Sequence, residues 1–287
     1  MDEQQPAETI EETPTAVKAD PTRAGIVVTQ RGDWQGMALF VAGVGAAIWG
    51  LISALGSGWG LWNWTSGITG VKWSFFLALA VIVLGLLLGR RAKMGGVARP
   101  RFLRWLGMFV AIVYTGWIST FVIAEWRVPA IHDISTDLAD PPSFRQLALR
   151  PDNWDEIPGA TDAEMKSMTP QQRWVVVHQN GYGDIRSVRI NEPVPMIIAR
   201  ADRLAQSRGW DVALSLPEEG RLEATDTSTF FRFKDDIVLR VRPTDTGEGS
   251  IVDMRSVSRV GVNDLGVNAK RVRSFMADLS GAVTAGQ

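Results

Sequence analysis

Three apolar runs without a charged side chain constrain this 287-residue chain more than any other feature. They occupy residues 36–56 (GMALFVAGVGAAIWGLISALG), 73–89 (WSFFLALAVIVLGLLLG) and 105–124 (WLGMFVAIVYTGWISTFVIA). Each approaches the ~20 residues that cross about 30 Å of hydrocarbon at 1.5 Å per residue. Helices of a soluble core would have to be uncharged on every side three times in succession, which is rare outside membranes. Three spanning helices are therefore predicted within residues 34–127. The loop between the second and third runs carries Arg90, Arg91, Lys93, Arg99, Arg101 and Arg104, whereas the loop before it holds only Lys72. Excess basic charge marks the cytoplasmic side. This predicts a cytoplasmic N-terminus and sends residues 128–287 to the opposite side, the periplasm of a bacterial inner membrane.

Residues 1–33 hold Pro6, Pro14 and Pro21 among Asp2, Glu3, Glu8, Glu11, Glu12 and Asp20, too little apolar content to offset the entropy of ordering. A disordered tail is expected, and its acidic start is not that of a secretory signal peptide. Trp34, Trp59, Trp62, Trp64, Trp73, Trp105 and Trp126 fall at the ends of the runs, where aromatic belts anchor helices at headgroup depth. A lipid or hydrophobic ligand held by the first external loop is a second use for them. Gly43 with Ala47, and Ala42 with Ala46 and Gly50, give the first helix small faces suited to close packing. The neighbour is either an internal helix or a second protomer, so oligomerisation through the spans stays open.

Composition narrows the chemistry of the remaining half. The chain has no cysteine, which removes thiolate metal sites, disulfides and cysteine nucleophiles. Its two histidines, His132 and His178, are far apart, so no metal site is expected, and no glycine-rich nucleotide motif calls for a cofactor. The 30 basic and 31 acidic residues nearly cancel, so nucleic acid is not expected as a partner.

Residues 132–144 form an extended, proline-rich lead-in in which Asp133, Asp137 and Asp140 either cap local turns or face a cation. Thr169-Pro170-Gln171-Gln172 has the form of a helix start with a capping box. A short strand at 185–190 and a helix at 195–208 precede four strands in which apolar and polar residues alternate, around residues 210–216, 221–225, 237–242 and 251–255. A closing helix follows, with Asn268 as its cap and Val272, Phe275, Met276 and Leu279 as its apolar stripe. The class is thus α+β: three transmembrane helices, then a soluble domain whose antiparallel sheet is covered on one face by two helices. The strand, helix, four strands, helix order is that of a TBP-like fold, and fold order alone says nothing about DNA. The period of two turns Leu222, Leu239 and Met254 toward the helices. Glu223, Arg240, Arg242, Asp253, Arg255 and Arg259 then point to the other side, as an open charged face.

The stretches HDISTDLADPPSF, RLEATDTSTFFRFKDDIVLRVRP and DMRSVSRVGVNDLGVNAKRVRSFMADL, in this order, resemble the family catalogued as domain of unknown function 1499. The resemblance runs over about 131–279 and implies a bacterial and plastid group, often membrane-attached, with no known reaction. Polar residues of this chain within the signature are Glu223, Thr225, Asp235, Asp236, Arg240, Arg242, Asp253, Arg255, Ser256, Ser258, Arg259, Asp264, Asn268 and Arg271. Arg255 and Arg259 are planar donors able to grip a carboxylate or phosphate, and Arg271 with the amino end of the closing helix near Asn268 can add donors. The expectation is a binding module for an anionic ligand, a lipid headgroup or an envelope protein. Two alternatives accompany it. Glu223, Asp253 or Asp264 can serve an enzyme as acid or base, or the chain can be a structural subunit of a membrane complex. For each single charge the competing reading is a salt bridge that fixes the turn between strand and helix.

Overall fold

The computed structural model describes residues 34–94 and 102–281, with side chains through Arg91 in the first of these stretches. The expected tail at 1–33 and the central part of the basic loop, with Arg99 and Arg101, lie outside the described residues, and of Lys93 only the backbone is described. Each apolar run becomes a helix long and apolar enough to span a membrane: α1 (Trp34–Gly58), α2 (Trp64–Met94) and α3 (Phe102–Arg127). Their outward faces are leucine, isoleucine, valine and phenylalanine exposed from end to end, as lipid-facing surfaces require. The small residues of α1 turn inward. A Cβ on Gly43 would sit 2.4 Å from the Gly107 carbonyl oxygen of α3, so only glycine allows this backbone approach. One turn pair higher, Gly50 faces the hydrogen bond that joins Ser74 of α2 to the Tyr114 hydroxyl of α3 at 2.5 Å. The neighbour of α1 along this face is therefore internal to the chain.

After α3 come β1 (Asp133–Ser135), α4 (Pro170–Tyr182), β2 (Val188–Ile190), α5 (Val194–Ser207), β3 (Asp211–Leu216), β4 (Arg221–Thr227), β5 (Lys234–Pro243), β6 (Ser250–Ser258) and α6 (Val267–Ser280). The strands form one six-stranded antiparallel sheet ordered β1-β6-β5-β4-β3, and β2 also pairs with β6, further along the edge that β1 occupies. From β2 onward this is the expected α+β order. β1 was read as an extended lead-in, because three residues show no alternation; pairing with β6 makes it a strand.

The alternation holds. Leu222 lies opposite Leu239, and Leu239 opposite Met254, on the face that α5 and α6 cover. There Ile197, Ile198 and Ala201 of α5 and Val272, Phe275 and Leu279 of α6 join them in a single buried core. Arg240 sits opposite Asp253 on the other face. What covers that second face departs from expectation. It is not open: residues 137–147 cross it as a strap, and Glu223, Asp253 and Arg255 beneath are buried. The reason is chemical, since charges taken from water need partners, and the strap supplies them.

α4 begins with the expected capping box. Thr169 Oγ1 accepts from the Gln172 amide, and Gln172 Oε1 accepts from the Thr169 amide. Its Trp174, His178 and Tyr182 enter the main core, and Trp174 Nε1 donates to the Asp133 carbonyl at 2.8 Å.

Candidate functional site

The signature charges sort into four clusters. The first is Asp133 with Arg255. The carboxylate is wholly buried and takes two bonds from the guanidinium, at 2.9 and 2.6 Å, together with bonds from Asn153 Nδ2 and Trp154 Nε1. The Arg255 guanidinium also lies over the rings of Trp154 and Trp174. With 5% of its side chain exposed, it cannot meet a ligand from solution.

The second cluster gathers Arg240, Arg242 and Asp253 with Asp137 and Asp140 of the strap. Asp253 accepts from Arg240, Arg242 and the Ser187 hydroxyl. Arg240 bridges to both strap carboxylates. Asp137 also receives the Ala139 and Asp140 amides, so these aspartates cap a turn and hold arginine. Beside them Glu223 is filled by three consecutive strap amides, those of Arg145, Gln146 and Leu147, at 2.6 to 2.9 Å, and by Arg221.

The third cluster lies on the helix side of the sheet. Arg271 bonds Asp226, Asp235, Ser256 and Asn268. Asn268 is not the cap of α6. It sits inside the helix, wholly buried, donating to Ser258 and to the His132 carbonyl. The turn is made by Gly266 at φ 78°, a left-handed conformation that glycine adopts without strain. The cap is Asp264, whose carboxylate accepts from the Gly266 and Asn268 amides. Burial pushes its carboxyl above the usual range, against the pull of these amides.

The fourth cluster is Arg259, gripping Asp236 at 2.8 Å through both Nε and Nη2 and reaching Thr225. These bonds hold its guanidinium above its ordinary pKa, and 42% of the side chain stays exposed.

This geometry corrects the expected anion pocket. Arg255 and Arg259 share the strap face, Arg271 works on the opposite face, and the sheet lies between. The amino end of α6 is already filled by Asp264. Charges that alternate along a strand can be assigned to faces from sequence, but which face α6 delivers Arg271 to depends on packing. The residues left facing solvent are Arg259 and Arg242, the latter 47% exposed. Arg242 lies opposite Ile251 in the sheet, and Ile251 lines a groove of about 380 Å³ together with Ser187, Val188, Arg189, Thr244, Asp245 and Thr246. Sequence reading passed over Ser187 and Arg189, and no motif marks them.

A match to the family model "Protein of unknown function (DUF1499)" covers residues 133–279. The chain belongs to the DUF1499 family. The DUF1499 match opens on Asp133, which Arg255 grips, and closes on Leu279, the last core residue of α6. The three apolar helices lie before it. A comparison with curated proteins gives no match.

His178 sets a pH response of the fold. Its Nε2 accepts from the Ser135 amide, so the proton sits on Nδ1, which has no hydrogen-bond partner among the described residues. Burial holds the imidazole down to about 4. The unfolded chain takes up a second imidazole proton near 6.5, so stability is full above that pH and falls as pH drops toward about 4. The loss reaches roughly 3 kcal/mol. Denaturant unfolding of the full chain between pH 6.5 and 5 should show this slope, and His178→Gln should flatten it.

Proposed function

We propose that this DUF1499 protein is a membrane-anchored recognition module of a bacterial inner membrane, with its folded domain on the periplasmic side, binding an anionic ligand at the far rim of the strap face. The orientation rests on the basic segment where α2 ends and α3 begins, with Arg90 and Arg91 near the end of α2 and Arg104 in the first turn of α3. The observation that carries the reading is Arg242. Among the described residues its guanidinium reaches carboxylates only through Nη2, at 2.9 Å to Asp253 and 3.7 Å to Asp137, and it remains half-exposed, on the residue opposite Ile251 of the groove that Arg189 lines. A groove lined by one guanidinium, with a second half-exposed one carried by the strand next to it, suits a carboxylate or phosphate.

The enzyme reading finds less support. Glu223 and Asp253 are wholly buried and filled by donors of the fold, and Asp264 is occupied as a helix cap. General acid or base work needs a carboxyl within reach of substrate.

Native mass spectrometry of the full chain extracted from membranes tests the proposal, with Arg189→Ala/Arg242→Ala measured beside it. A bound acidic species on the natural chain, lost from the double variant, is the expected result. Identical spectra from two folded proteins would remove the groove from consideration.

A further inference from the structure

The hairpin between β4 and β5 carries Phe230, Phe231, Arg232, Phe233 and Lys234, and it does not project into water. It sits on the apolar bundle. The Phe230 ring meets Trp117 of α3 edge-on at 5.7 Å, and Phe233 meets Trp64 of α2 at 6.1 Å. A Cβ built on Gly58 of α1 would be 2.4 Å from the Phe230 carbonyl oxygen, and one built on Gly67 of α2 would be 3.0 Å from the Phe231 ring. The depth follows from the helix register. Gly43 faces Gly107; from that level α1 runs fifteen residues to Gly58, whereas Trp117 is ten residues on along α3. Phe230 thus touches α3 about 7 Å below the end of α1, at 1.5 Å per residue, inside the third apolar run. Phe230 is 39% exposed, at a depth that falls within the hydrocarbon if the apolar runs span a bilayer.

Just above this wedge stand three cations. Arg232 lies against the end of α1, with its Cγ 3.1 Å from a Cβ built on Gly58. Arg232 and Lys234 are exposed, and their side chains form no described hydrogen bond or ion pair. Lys234 also faces Arg259 across the ladder, since the Arg259 amide donates to the Lys234 carbonyl. Like charges on facing strands are unfavourable, and Asp236 answers only one of this pair. An anion between them removes the penalty.

We propose that the hairpin is a lipid-reading wedge: its phenylalanines enter the leaflet on the domain's side, and Arg232, Lys234 and Arg259 bind the phosphate of an anionic phospholipid there. This site is at the opposite end of β5 from the groove of Arg242 and does not depend on it. Aromatic rings at the interface with cations at headgroup level are the combination that holds a peripheral segment on an acidic bilayer.

The test uses the full chain in nanodiscs of phosphatidylcholine with a minor share of phosphatidylglycerol, followed by native mass spectrometry of the lipids retained on release. Phosphatidylglycerol should be enriched on the natural chain. Arg232→Ala/Lys234→Ala removes no described polar contact, and should cut the enrichment by on the order of twenty-fold, about five-fold per cation. Arg145→Ala, which removes a surface cation outside both sites, should leave it unchanged. Equal retention of the two lipids by the natural chain, or full enrichment in the double variant, overturns the proposal. The absence of cysteine allows a second measurement: a spin label at Phe230→Cys should be shielded from a water-soluble relaxant and accessible to oxygen, and the reverse accessibility overturns the insertion.

Discussion

Asp133→Ala is expected to destabilise the domain after the apolar bundle by about 3–5 kcal/mol, the usual consequence of leaving a buried charge without its partner. The Arg255 guanidinium would keep only the Pro142 carbonyl at 3.3 Å, and the Asn153 amide and Trp154 indole would lose their acceptor as well. Trp154 and Trp174 flank the guanidinium and the strap lies across it, so it stays buried when its partner is removed. The exposed pair Arg145–Glu219 is the control. Both side chains are more than half exposed there, and Glu219→Ala should cost less than ~1 kcal/mol. Thermal unfolding of the detergent-purified chain measures both.

Gly43→Leu is expected to break the apolar bundle. Even the first carbon of a side chain would lie 2.4 Å from a backbone oxygen of α3, and the reciprocal Gly107→Ala meets the Leu39 carbonyl oxygen and Phe40 Cα at 2.6 Å. Neither neighbour is a side chain that can swing away, so the helices must part along their length. Alanine at Gly43 should cost toward the upper end of the ~1–3 kcal/mol typical of overpacking, and leucine more. Gly45, with nothing within 4 Å of its Cβ position, supplies the comparison, and Gly45→Ala should be neutral. Resistance of the full chain to SDS unfolding ranks the three.

Both results bear on what could be read before any coordinates. The bundle was legible because absence of charge over three runs is a one-dimensional property. The sheet was legible because alternation fixes which side of a strand each residue faces, as Arg240 and Met254 confirm. The cover of the charged face was not, because the strap at 137–147 has no period of its own and, apart from Asp137 and Asp140, is held by amides and carbonyls that any sequence carries. The same limit applies to α6. Its apolar stripe was evident, whereas the capping carboxylate is Asp264 and not the expected Asn268, because a cap depends on where the chain turns, here at Gly266. The aromatic hairpin was visible only as letters, since its place beside Trp117 and Gly58 comes from how two parts of the chain meet.

The division between charges that build the domain and charges left for recognition is tested most directly by thermal unfolding of Arg255→Ala set beside Arg242→Ala in the same detergent. The predicted fall is on the order of 10 °C for Arg255→Ala, and less than about 2 °C for Arg242→Ala, whose side chain is half in water. Equal shifts, or a larger one for Arg242→Ala, would contradict that division.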